Sequence, residues 1–166
     1  MSRGGRMNAG LRRLLLAAVL FAAGQGASAA VTCSVSTVGV AFGVYNPLAT
    51  VATTSAGSIT VTCTSTSNGT TTVNIGAAYG TGSSGTYAAR TMQSGSSVLS
   101  YNLYFDAAYT QVRGDGTGGT TAGSATLSLG RNQTSSVSGT LYGRITAGQD
   151  VAPGTYADTI VVTVTY

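Results

Sequence analysis

Apolar and polar residues alternate along most of the chain beyond residue 30. Val31, Cys33 and Val35 share one parity, as do Ile59, Val61 and Cys63 within Gly57 to Cys63. Val73 and Ile75 mark a third segment, Leu99, Tyr101, Leu103 and Phe105 a fourth, and Leu127 and Leu129 a short fifth. Val137, Leu141 and Ile145 hold one parity through Ser135 to Ile145, and Ile160, Val162, Val164 and Tyr166 hold one at the end. Successive side chains of a strand point to opposite faces, so a period of two buries one face and wets the other. Gly, Asn, Asp and Ser clusters separate the segments, as turns require. No stretch shows the stripe of an amphipathic helix. About seven short strands, without the long crossovers that parallel pairing needs, predict an all-β antiparallel sandwich of immunoglobulin type.

The N-terminus follows another pattern. Arg3, Arg6, Arg12 and Arg13 precede the apolar run Leu14 to Ala23, and the small-residue signature Ala27-Ser28-Ala29 follows. That arrangement predicts a secretory signal peptide over residues 1–29 and a mature domain over residues 30–166. The apolar run is too short for a retained membrane anchor, and a start at Met7 gives the same mature product. The formal charge of +4 belongs to this leader, because Arg90, Arg113, Arg131 and Arg144 cancel Asp106, Asp115, Asp150 and Asp158 in the remainder. A neutral mature chain lacks the basic footprint of nucleic-acid or anionic-membrane binding. Export places Cys33 and Cys63 in an oxidising compartment, where they have one intramolecular pairing and are expected to form it. Closing that loop contributes about 3.6 kcal/mol in the chain-entropy treatment.

Composition argues against catalysis. The 166 residues contain no His, Lys or Glu, so the usual general bases and metal ligands are missing, and the serines have no histidine to activate them. No catalytic, cofactor-binding or metal-binding residue is assigned, and no small-molecule substrate is expected. Gly80-Thr81-Gly82-Ser83-Ser84-Gly85 spells the dinucleotide fingerprint, but no helical pattern follows to receive a pyrophosphate. Arg113-Gly114-Asp115 spells an integrin tripeptide in an exposed-looking Gly/Thr loop and reads as a turn. Asn68 and Asn132 head sequons and also read as turn residues. Tyr79, Tyr87 and Tyr109, set among small residues, are candidate surface-contact aromatics on loops, the alternative being rings that tuck back onto the sandwich.

Several pieces then combine in order along the mature chain. They are Cys33 with Cys63, Ala41-Phe42-Gly43-Val44-Tyr45-Asn46-Pro47, Arg90-Thr91-Met92, Leu99-Ser100-Tyr101-Asn102-Leu103-Tyr104, Gly114-Asp115-Gly116, Leu141-Tyr142-Gly143-Arg144-Ile145 and Gly154-Thr155-Tyr156-Ala157-Asp158 through Tyr166. Together they resemble the spore coat protein U domain family, which includes subunits of archaic, Csu-type chaperone-usher pili. An aromatic commonly precedes the family's Gly-Asp-Gly, whereas Arg113 stands there in this chain.

The resemblance implies a pilin-like sandwich lacking its last strand. A periplasmic chaperone would hold it, an outer-membrane usher would assemble it, and a neighbouring subunit's N-terminal strand would complete it. Such a protein passes through the periplasm to the cell surface. Ile160, Val162, Val164 and Tyr166 are the expected edge for the donated strand, since an alternating apolar edge invites strand addition. Spanning a strand takes about ten extended residues, and cleavage after Ala29 leaves Ala30, Val31 and Thr32 ahead of Cys33. The expectation is therefore a subunit that accepts a strand without donating one, at a fibre end or tip, supporting surface adhesion and biofilm formation. The alternative is a self-standing secreted spore-coat or cell-surface structural protein whose sandwich closes itself.

Overall fold

A computed structural model describes residues 31–166; the expected signal peptide lies outside the described residues. Eight strands form: β1 (Val31–Val38), β2 (Thr53–Ser65), β3 (Thr71–Tyr79), β4 (Arg90–Ser94), β5 (Ser97–Tyr104), β6 (Gly123–Leu129), β7 (Thr134–Ile145) and β8 (Val162–Thr165). They make a five-stranded sheet, β1-β2-β7-β5-β4, and a three-stranded sheet, β6-β3-β8. Every neighbouring pair is antiparallel. A 3₁₀ turn at Gly82–Ser84 is the helical element among the described residues. The fold is thus the antiparallel immunoglobulin-like β-sandwich that the alternation predicts.

An added strand and a shifted boundary differ from the sequence expectation. β4 is an additional strand, and its inward positions are Arg90 and Met92, both buried. β2 begins at Thr53 rather than near Gly57, because its first residues pair with the far end of β7 from Thr53↔Ile145 to Gly57↔Leu141. Chain that follows β1 lies directly over this region. A Cβ on Gly57 would meet the Val38 carbonyl and Val40, and a Cβ on Gly143 would meet Val40 and Phe42. Glycine at these two positions allows the Val38–Phe42 run to approach the sheet closely.

The core fills the space between the sheets. Val61, Cys63, Val73, Ile75, Leu127 and Leu129 form one buried cluster, and Met92, Leu99, Tyr101, Leu103 and Ile145 form another beside it. Register places Cys33 directly opposite Cys63, and the two are joined by a disulfide that staples β1 to β2. The outer face of the same strands is polar. Thr60 and Ser138, Thr62 and Ser136, and Thr64 and Thr134 form three hydroxyl-to-hydroxyl hydrogen bonds of 2.8 Å each. Ser36, Ser34 and Thr32 of β1 extend these rungs in register.

Candidate functional site

The flanks of the sandwich close differently. On one, a turn joins β6 to β7, and Leu127 and Leu129 are sealed against β2 and β3. On the other, β8 is hydrogen-bonded to β3 and β1 to β2, with no further strand beyond either among the described residues. Between them runs a groove of about 350 Å³, with lips at residues 37–42 and 156–162. Ile59, Tyr101, Leu103 and Leu141 line its floor.

Register shows which side chains should fill this space. Val162 and Val164 pair with buried Tyr79 and Ala77, so both point inward, yet both are only half-buried. Val35 faces inward opposite buried Val61 and is nevertheless 46% exposed. Val35 on β1 and Val162 and Val164 on β8 are thus inward apolar positions that stay open to water on edge strands. Of the four edge residues expected from sequence, Val162 and Val164 lie in β8, Ile160 lies just before it and lines the groove, and Tyr166 lies past its end and is exposed.

β8 is shorter than the alternation suggests because the chain changes sheets on its way in. Ala157 forms a bridge with Gln93 of β4, and Val162 then pairs with Tyr79 of β3. Asp158 sits at this crossing. Its Oδ2 accepts a hydrogen bond from the Tyr101 hydroxyl at 2.7 Å. Its Oδ1 accepts from the backbone N–H groups of Ser83 and Thr159 at 2.9 Å each. Burial, and then the bond to Asp158, push the Tyr101 hydroxyl well above the ordinary tyrosine range, since both disfavour a phenolate. Gly80 to Gly85, the fingerprint-like run, therefore serves as a loop that hands a backbone donor to Asp158.

Two arginines take buried places. Arg90, 0% exposed, donates from Nη1 to Asn102 Oδ1 at 2.7 Å, from Nη2 to the Arg113 carbonyl at 2.7 Å, and from Nε and Nη2 to the Gly80 carbonyl at 3.2 and 2.8 Å. Burial lowers its pKa, against the raising influence of Tyr101, Tyr87 and Asp158. Its donors tie the 80–89 and 105–122 loops to the sheet. Arg113, 4% exposed, lies between the rings of Tyr79 (4.6 Å) and Phe105 (4.5 Å) and donates to the Tyr79 hydroxyl at 3.2 Å. Stacking on aromatic faces offsets part of the cost of burying a guanidinium.

These positions correct parts of the sequence reading. Arg113 is in the core rather than on an exposed loop, so the integrin-like tripeptide cannot present its guanidinium. Tyr79 closes β3 and is 1% exposed, because its ring is one face of the Arg113 sandwich; it is not a loop contact. Tyr87 and Tyr109 are on loops but half-buried, with Tyr87 beneath Arg90 and Tyr109 against Tyr104 and Arg144. The most exposed large apolar side chains among the described residues lie elsewhere, at Val44 (93%), Leu48 (89%) and Val51 (72%) on the connection between β1 and β2. Alternation could not identify them, since nothing there is paired. One signal does mark the groove's first lip: apolar parity switches from odd at Val31, Cys33 and Val35 to even at Val38, Val40 and Phe42.

Asp106 and Asp115 stabilise exposed loops. Both carboxylates are held below the usual range, Asp106 chiefly by the Gln111 backbone N–H and Asp115 chiefly by the Thr117 hydroxyl.

The family model of the Spore Coat Protein U domain matches residues 17–163 of the chain. No curated protein matches the chain.

Proposed function

Since the chain belongs to the spore coat protein U domain family, we propose that it is a non-catalytic structural subunit of an extracellular chaperone-usher fibre, completed by a β-strand from a neighbouring subunit. One observation carries this reading: Val35 on β1 and Val162 and Val164 on β8 point into the space between the sheets and remain open to solvent, and Val162 lines the groove. A strand laid beside β8 would pair its free edge and cover these side chains, as in β-augmentation. Four inserted apolar side chains would contribute roughly 6 to 12 kcal/mol before ordering costs, comparable to the stability of a whole domain. A periplasmic chaperone would then shield the open flank after export, and an outer-membrane usher would exchange it for the neighbour's strand.

The same reading places the subunit at a fibre end. Val31 already pairs with Ser65, so a chain cleaved after Ala29 has Ala30 alone ahead of its first strand. The exposed Val44, Leu48 and Val51 suit contact with apolar surfaces and would support adhesion and biofilm formation at a tip.

Periplasmic production tests the reading. Alone, the chain should be degraded or aggregate; with its chaperone it should accumulate as a complex, and with a donor subunit as a heterodimer. Accumulation of an unassisted monomer that refolds reversibly would overturn the proposal in favour of a self-closed coat or surface protein. Attachment to polystyrene that survives serine at residues 44, 48 and 51 would remove the adhesive role.

A further inference from the structure

Among the described residues, Asp158 is the one charged side chain lining the groove. An ionised carboxylate offers about four lone-pair positions, and three donors already fix this one: the Tyr101 hydroxyl and the Ser83 and Thr159 N–H groups. One position remains. Arg90 lies close enough for its charge to be felt, but its donors are directed at Gly80, Asn102 and Arg113.

A wholly apolar strand laid over this groove would strip water from the carboxylate and bring it no cation, which is a costly burial. A strand that puts an ammonium or guanidinium there keeps the charge compensated and fills the fourth position. A strand that puts a carboxylate there adds like-charge repulsion. The opposite lip, residues 37–42, carries no charge, so Asp158 alone distinguishes registers by charge. A slip by one residue would turn such a cation to the other face.

Resting on the acceptor reading above, we infer that the groove selects a partner strand carrying a Lys or Arg among its alternating apolar residues, and that the contact with Asp158 sets that strand's register.

The test uses the mature chain released from its chaperone complex and synthetic strands of about ten residues. Each inward position is Lys, Leu or Glu in turn, and binding is read by fluorescence anisotropy at low and high salt. At one position Lys should outbind Glu by about tenfold or more at low salt, with the gap shrinking as salt rises. In Asp158→Asn, which keeps an oxygen acceptor, the gap should close. Equal binding of all three series, or a Lys preference that persists in Asp158→Asn, overturns this inference and leaves the acceptor reading standing. Failure of every peptide to bind a chain that is folded by circular dichroism and disulfide-intact overturns the acceptor reading itself. Should Asp158→Asn not fold, the position scan and salt dependence on the native chain decide.

Discussion

Leu129 on β6 and Val164 on β8 both point between the sheets from the edge strands of the three-stranded sheet. Leu129 is completely buried, whereas Val164 stays half-open to water. The difference lies across the gap rather than in the residues. Beside Leu129 the chain turns straight into β7, with the Ser65 N–H donating to the Gln133 carbonyl at 2.9 Å to pin the corner. Beside Val164 no described segment follows. Identical alternation therefore ends in a sealed core on one flank and a half-open edge on the other, and burial reports which partners a strand has.

Closing the open flank should produce the largest change. A strand with four alternating apolar residues, tethered after Tyr166 by a flexible linker, should raise the urea midpoint and melting temperature sharply, drawing on roughly 6 to 12 kcal/mol of gross burial. An unchanged midpoint would show that the groove is not a strand site. Next in size, Leu129→Ala on the sealed flank should cost about 2 to 5 kcal/mol, and Cys33→Ala with Cys63→Ala about 3.6 kcal/mol, both by urea unfolding. Val35→Ala should cost under about 1 kcal/mol in the free chain, because the side chain is already half in water, and more once a strand covers it. Equal costs at residues 35 and 129 would erase the contrast between the flanks.

The smallest effect is a pH dependence. A tyrosine whose folded pKa is raised contributes nothing adverse below its unfolded value of 10.0 and loses stability as pH climbs beyond it, because the unfolded chain releases the proton first. Unfolding free energy should therefore decline above that pH, and Tyr101→Phe should decline less steeply. Parallel alkaline profiles for the two would remove Tyr101 as the source.

Much of the fold was legible in the sequence, because strands with one wet face write their register as alternation. β1, β2, β3, β5, β6, β7 and β8 are visible in this way. β4 is not, since its inward positions begin with an arginine, and a pattern of apolar spacing cannot anticipate a guanidinium met by three backbone and amide oxygens. Arg113 misled for the same reason: its partners, the rings of Tyr79 and Phe105, come together only in the folded chain. The groove was half legible. Its β8 lip shows as Ile160 and Val162, and the lip at residues 37–42 is marked by the parity switch at Val38 alone, whereas the carboxylate of Asp158 depends on a crossing between sheets that no local pattern records.

The hydroxyl rungs on the outer face of β1, β2 and β7 have a consequence of their own. From Thr134 to Thr140, and across to Thr32 and Ser36, no ionisable side chain interrupts them. Their hydration therefore has nothing to titrate and little for dissolved ions to screen. That wall of the molecule should look the same to its surroundings in fresh water, brine, mild acid or mild alkali.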